Sequence, residues 1–274
     1  MDTWRLLEPE RLAGRFHMAI DDGLARQSPP QPVFRFYFWQ PPAISLGYHQ
    51  SEQNILFDNC QNDGIDVVRR PTGGRAILHA EELTYTVILP RDSRIASGGV
   101  HAVHNRISQA LAQGLQSAGF DVKLNKEPVD LREHYGHHPG KMACFTAATP
   151  YELQIDGKKV VGSAQRQYPD TILQHGSILT GKRHRDIVRY LAESEDNREL
   201  LRDEFRNTTT ELDDNSGYSI NTDKLMHSIL LAFASYFHIE WEYDSLSTRE
   251  REQLFACANE FELFTSKYDS VTAK

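Results

Sequence analysis

Apolar residues in this chain fall into short runs separated by turn residues, with a few stretches at helical spacing between them. Leu12, Phe16, Ala19, Ile20 and Leu24 recur at near-helical intervals, which predicts a first helix over 8–26. Aromatic and β-branched runs follow at 34–39, 43–48, 66–69, 76–79 and 83–89, and these read as strands. Val100, Val103, Ile107, Leu111 and Leu115 return to helical spacing, with Gly119 just past them as a cap, so a helix is predicted over 100–118. Residues 126–143 carry Pro128, Gly136, Pro139, Gly140 and three histidines and read as a long loop.

Beyond that loop, alternating runs flank Asp156-Gly157, a hairpin signal, and 171–179 is a further strand. After about residue 184 the chain becomes polar and helical. Ile187, Val188 and Leu191 mark one short helix, Leu225, Ile229 and Phe233 a second, and Ser247-x-x-Glu250 is a capping box that opens a third. Strands joined by hairpins predict an α+β fold, with a mixed, mainly antiparallel sheet flanked by helices. The expected division is a body over 1–184 and a small helical C-terminal extension over 185–274 packed on it.

Composition narrows the classes. With 274 residues, 39% of them hydrophobic, the chain can bury a core without a staple. A net charge of -8 argues against a nucleic-acid partner, whose phosphates call for basic surface. Cys60, Cys144 and Cys257 are far apart and form no Cys-x-x-Cys, which argues against a disulfide framework or structural zinc. The start, Met1-Asp2-Thr3-Trp4-Arg5, lacks the layout of a signal peptide, and no apolar run is long enough to cross a bilayer. The expectation is a cytoplasmic monomer that binds neither membrane nor nucleic acid.

Three segments could carry chemistry. In Arg69-Arg70-Pro71-Thr72-Gly73-Gly74-Arg75-Ala76-Ile77-Leu78-His79, two glycines allow a tight turn and a close backbone approach to a ligand, and the arginines suit a carboxylate or phosphate. A hairpin turn with solvated arginines reads equally well. Neither a Walker A loop nor Gly-x-Gly-x-x-Gly is present. In Gly157-Lys158-Lys159-Val160-Val161-Gly162-Ser163-Ala164-Gln165, strand alternation puts the two lysines on opposite faces, so at most one faces a pocket. Cys144-Phe145 follows the long loop; its thiol is either a small buried hydrophobe or a nucleophile activated by a nearby cation. His101-x-x-His104 and His134-x-x-His137-His138 lack a familiar metal pattern, so no metal site is expected. Ser163 and Ser177 lack the Gly-x-Ser-x-Gly elbow, which disfavours a serine hydrolase. The charged stretch 193–214 reads as a solvated face.

Together these segments resemble the lipoate-protein ligase and octanoyltransferase superfamily, which also holds the biotin-protein ligases. The resemblance rests on Arg69–His79 and its continuation Glu82-Leu83-Thr84-Tyr85, on Ser45-Leu46-Gly47-Tyr48-His49-Gln50, on the 157–165 hairpin, and on Leu173-Gln174-His175-Gly176-Ser177. It spans roughly residues 1–180 and leans toward the LipM-type octanoyltransferases. It implies a catalytic pair, Cys144 and Lys159. It also implies substrate-binding positions at Gly47, Gln50, Arg69, Arg70, Thr72, Gly73, Gly74, Arg75, His79, Gly162, Ser163, Ala164 and His175. The implied reaction takes octanoate from octanoyl acyl-carrier protein through a Cys144 thioester to a lysine of a lipoyl-carrier protein, typically the glycine-cleavage H protein. No cofactor is required for that reaction. A ligase that activates a free acid would need ATP and magnesium, and a non-catalytic carrier-binding protein is a further alternative. Phe36, Leu46 and Ile77 are expected to line the acyl slot, and the 126–143 loop to close over it. The chain departs from the family at His17-Met18-Ala19-Ile20-Asp21-Asp22, at Pro71 and at Phe145-Thr146-Ala147.

Overall fold

The computed structural model describes residues 2–125, 152–213 and 220–266. It opens with strand β1 (Asp2–Leu12), and helix α1 (Gly14–Gln27) begins only after it. The helix expected from residue 8 is corrected by strand pairing. Glu10, Arg11 and Leu12 stand in parallel register with Tyr37, Phe38 and Trp39 of β2 (Val33–Trp39). Periodicity in a local window is blind to a partner strand far along the chain. Pro9 falls at the register shift between Leu7 and Glu10, where a ladder is already interrupted.

The chain continues through β3 (Ala43–Leu46), α2 (Phe57–Asp63), β4 (Asp66–Arg69), β5 (Ile77–His79), β6 (Glu82–Pro90) and α3 (Gly99–Ser117). Next come β7 (Lys123–Leu124), β8 (Leu153–Ile155), β9 (Lys158–Gln167) and β10 (Thr171–Leu179). Asp156 and Gly157 both have positive φ, as a tight two-residue hairpin turn requires. Tight 3-10 turns over Lys182–Tyr190 lead to α4 (Glu195–Thr208), α5 (Thr222–Phe237), β11 (Ile239–Asp244), α6 (Thr248–Phe255) and β12 (Glu262–Phe264).

Two sheets result. The larger runs β11-β1-β2-β6-β10-β9-β8-β7 and the smaller β12-β4-β3-β5. Pairing is parallel along β11-β1-β2 and between β3 and β4, and antiparallel elsewhere. The fold is therefore the expected α+β arrangement. Helices α3 and α5 cover one face of the large sheet, packing Val103, Ile107, Leu111, Ile229 and Phe233 against Trp4, Phe34, Phe36, Tyr85 and Val87. On the other face, Ile20 and Leu24 of α1 meet Leu7, Ile88 and Leu173. The small sheet packs Ile44, Leu46, Val67 and Leu78 against Ile187, Val188, Leu201 and Phe205. Met18, Tyr37, Trp39, Ala43 and Val68 join α1 to both sheets.

Residues 185–274 supply the expected helices, but they also add β11 to the large sheet and β12 to the small one. Phe237 of α5 stacks on Trp4 with ring centroids 5.3 Å apart, so this region closes the main core rather than resting on it. Both arms of the expected capping box form at α6: the Ser247 hydroxyl accepts from the Glu250 amide, and the Glu250 carboxylate accepts from the Ser247 amide. Ser247→Ala is expected to cost about 1 kcal/mol, seen as a melting temperature lower by about 2–4 °C.

Candidate active site

Strand β10 is buried along its whole length, yet it carries Gln174, His175 and Ser177. Buried polar groups of this kind must find partners inside the protein. Alternation sends His175 and Ser177 toward the seam between the two sheets, opposite Ala164 and Gly162 of β9. A pocket of about 380 Å³, open mouth included, lies there. Its walls include Met18, Tyr37, Trp39 and Ile77, with Ser45, Arg70, His79, Thr84, Gly162, Ser163, Ala164, His175 and Ser177. Of the three expected slot residues, only Ile77 is in this wall. Phe36 faces the α3 side and Leu46 the small-sheet core. The period of two in a strand explains it: β2 presents Tyr37 and Trp39 here, and their neighbour Phe36 points the other way.

The glycine turn is held by its own arginines. Arg69 donates to the carbonyls of Gly47, Tyr48 and Gln50 and to Glu52, the Gln50 and Glu52 contacts both at 2.6 Å. Arg70, buried, donates to the carbonyls of Ser45, Gly73 and Arg75 and to the Ser45 hydroxyl. These guanidinium groups shape the loop rather than standing open to an anion. The Tyr48 amide donates to the Thr72 carbonyl and the Arg70 amide to the Leu46 carbonyl, which zips the 46–50 loop to the turn. Gln50 closes that loop by accepting from the Gly47 amide at 3.0 Å. A Cβ on Gly47 would lie 2.0 Å from the Gly74 carbonyl oxygen, so this apposition requires glycine. Gly74 has φ 94°, while a Cβ on Gly73 would point into open space. The bare Gly73 backbone is thus exposed, and a ligand can approach it closely.

Thr72 and His79 are each tied into a buried network. His175 Nε2 lies 2.6 Å from Thr72 Oγ1, and His175 Nδ1 lies 3.2 Å from Asp21 Oδ2. Asp21 also accepts from Arg35, Tyr37 and Thr86. Burial opposes its ionisation, but the His175 bond and the Arg35 charge outweigh it and lower its pKa. His17 sits one helical turn before Asp21. Burial, reinforced by Arg35, holds its imidazole neutral, with a pKa well below the usual value. His79 is bonded to Ser45 and Glu82. Sequence reasoning missed Asp21, Arg35, Ser45, Trp39, Glu82 and Ser177. A readable signal existed for two of them: Asp21 lies four residues from His17 on an apolar helix face, and Glu82 lies three from His79.

Lys159 lies elsewhere. Its ammonium pairs with Glu152 at 2.6 Å, both groups buried. Burial and then the Lys159 charge push His104 of α3 down to about 4. Lys159 therefore faces the α3 side, and the described residues that line the pocket do not include it. Arg75 is half-buried, and its carbonyl accepts from Arg70. Cys144 and the histidines of 134–138 lie outside the described residues, as does the 126–143 loop. Cys60 is buried, and burial followed by Asp63 pushes its thiol up to about 12.

The chain matches the lipoyl protein ligase A/B catalytic domain over residues 13–234, and it belongs to that family. Among its relatives is octanoyltransferase LipM of Carboxydothermus hydrogenoformans, 34% identical over 92% of this chain and 93% of that protein. Octanoyltransferase LipM of Bacillus subtilis is 32% identical over 91% of each. The fold is shared with lipoate-protein ligase A bound with ATP, at TM-score 0.73 and 19% identity over 95% of both chains. It is shared also with the bi-partite archaeal lipoate protein ligase of Thermoplasma acidophilum, at TM-score 0.74 and 19% identity over 95% of this chain and 93% of that one.

Proposed function

We propose that this protein is an octanoyltransferase of protein lipoylation. It takes octanoate from octanoyl acyl-carrier protein and passes it to a lysine of a lipoyl-carrier protein such as glycine-cleavage H protein. The observation that carries this reading is the near full-length likeness to relatives named octanoyltransferase LipM. The pocket supports it. Its hydroxyls at Ser45, Thr84 and Ser177 already donate to His79 and Glu82, so the wall offers an acyl chain satisfied polar groups beside Met18, Tyr37, Trp39 and Ile77.

In the proposed mechanism the Cys144 thiolate attacks the octanoyl thioester, and the carrier thiol leaves with the proton. The turn at Gly73-Gly74 stabilises the oxyanion, such a donor contributing about 2.7–4 kcal/mol. The deprotonated carrier lysine then attacks the Cys144 thioester and forms an amide. Thioester to thioester to amide runs downhill, so neither ATP nor magnesium takes part.

The test incubates the purified protein with octanoyl acyl-carrier protein in the absence of ATP and measures intact mass. A gain of one octanoyl group, removed by neutral hydroxylamine as thioesters are, is the expected result. Transfer only from free octanoate or lipoate with ATP would overturn it in favour of a ligase, and no transfer under either condition would favour a carrier-binding protein. Gly47→Ala is expected to displace the Gly74 carbonyl and lower the transfer rate by about 100-fold, measured as octanoylated carrier per unit time.

A further inference from the structure

The pocket contains a constellation that the proposed transfer does not use. Ser45 Oγ lies 2.7 Å from His79 Nε2, and His79 Nδ1 lies 2.8 Å from Glu82 Oε1. The same carboxylate oxygen accepts from Thr84 at 2.5 Å and from Ser177 at 2.8 Å. Burial opposes ionisation of Glu82, but His79 and these bonds prevail and lower its pKa. The Trp39 indole lies flat on the imidazole, with centroids 3.9 Å apart and planes 8° from parallel. Its Nε1 donates to Thr84 at 2.8 Å, so the ring that fixes His79 is itself fixed.

The proton positions follow from the partners. An ionised carboxylate can only accept, so His79 carries a hydrogen on Nδ1, and in the neutral imidazole Nε2 is left to accept from Ser45. A hydroxyl bonded to the basic nitrogen of an imidazole whose other nitrogen is held by a carboxylate is the arrangement that activates serine. Arg70 Nη1, 3.0 Å from Ser45 Oγ, supplies a cationic donor at the same point. The Asp21–His175–Thr72 network has the same order, but of the two hydroxyls it is Ser45 that lines the pocket. Ser45 sits on strand β3 with no glycine elbow around it. Such a triad is recognised by geometry, not by local sequence.

We propose that Ser45, His79 and Glu82 form a serine hydrolase centre acting on medium-chain acyl esters and thioesters, independent of Cys144. Ser45 Oγ attacks the acyl carbonyl while His79 Nε2 takes its proton. Glu82 stabilises the imidazolium, and the positive charge of Arg70, held in its loop bonds 3.0 Å from Ser45 Oγ, favours the negative charge that develops there. The alcohol or thiol leaves with the proton from His79, and an ester remains on Ser45. Water then attacks that ester, its proton passing through His79 back to Ser45, and the free fatty acid departs. The proposal shares with the transfer reading only the premise that the pocket takes an acyl chain.

The test uses the full chain carrying Cys144→Ala and the substrate p-nitrophenyl octanoate, which needs no carrier protein. Hydrolysis is expected, with an acid-quenched octanoyl adduct, resistant to neutral hydroxylamine, on the peptide that contains Ser45. Adding Ser45→Ala should lower kcat/KM by at least about 100-fold, and Glu82→Gln should lower kcat with little change in KM. A fluorophosphonate probe should label Ser45 in the wild-type chain, a readout that does not depend on any variant folding. Hydrolysis that survives Ser45→Ala, a label on another residue, or neither hydrolysis nor label would overturn the proposal. If carrier octanoylation fails while this hydrolysis is present, the transfer reading falls and this one stands.

Discussion

Cys144→Ser is expected to abolish the hydroxylamine-labile octanoyl adduct and to lower carrier octanoylation by at least about 10⁴-fold, the scale on which loss of a catalytic nucleophile acts. A thiol is partly ionised near neutral pH, whereas a serine hydroxyl in its place needs a dedicated base. The measurement is intact mass with octanoyl acyl-carrier protein, followed by peptide mapping. The other two thiols provide the contrast. Cys60 is buried, with its thiol pushed up to about 12, so it has neither access nor thiolate character. Cys257 is exposed but lies next to the last turn of α6, among residues that take no part in the pocket. Cys60→Ala and Cys257→Ala are therefore expected to keep the adduct. An adduct that is cleaved by hydroxylamine and survives Cys144→Ser would remove the nucleophile, and with it the ping-pong reaction.

Asp21→Ala is expected to destabilise the fold by about 3–5 kcal/mol, measured as a lower urea midpoint with an unchanged slope. Asp21 and Arg35 are both buried, with Nη1 and Oδ1 3.1 Å apart, and Asp21 also accepts from Tyr37, Thr86 and His175. Removing the carboxylate leaves a buried guanidinium without its counter-charge and frees three other donors, which costs more than the pair itself contributes. The same geometry sets an acid dependence. The Asp21 pKa is lowered by folding, so its contribution is complete above the unfolded value near 4 and is lost as pH falls below it. His17, His104, His175 and His184 are held neutral chiefly by burial, with lowered pKa values, about 4 for His104 and His184. The unfolded chain takes up their protons first, so wild-type stability should fall from about pH 6.5 downward. Each histidine contributes up to about 1.4 kcal/mol per pH unit. The step below pH 4 due to Asp21 should be missing in Asp21→Ala. A stability flat between pH 7 and 5 would contradict this account.

Short-range chemistry was legible from the chain. The Asp156-Gly157 hairpin, the Ser247–Glu250 capping box, the α3 helix and the β10 strand all appear where their local signals fall. The glycine turn between β4 and β5 could likewise be placed, because positive φ at Gly74 and the tight contact at Gly47 call for glycine itself. The first helix begins six residues later than its periodicity predicts, since the pairing of β1 with β2 has no signature within residues 8–13.

The site divides along the same line. From the chain alone came the glycine turn, the 157–165 hairpin segment with its two lysines, and the family to which they belong. Tertiary structure decided that Arg69 and Arg70 brace the loop and that Lys159 pairs with Glu152 away from the pocket. It also decided that Asp21 meets His175 and that Ser45 meets His79, pairs 154 and 34 positions apart. The reason is physical. Turns, caps and helical faces are set by interactions within a few residues, so they leave a mark in a short window. A polar side chain in a strand looks the same whether water or another side chain will satisfy it, and only packing, by excluding the water, settles which partner it takes.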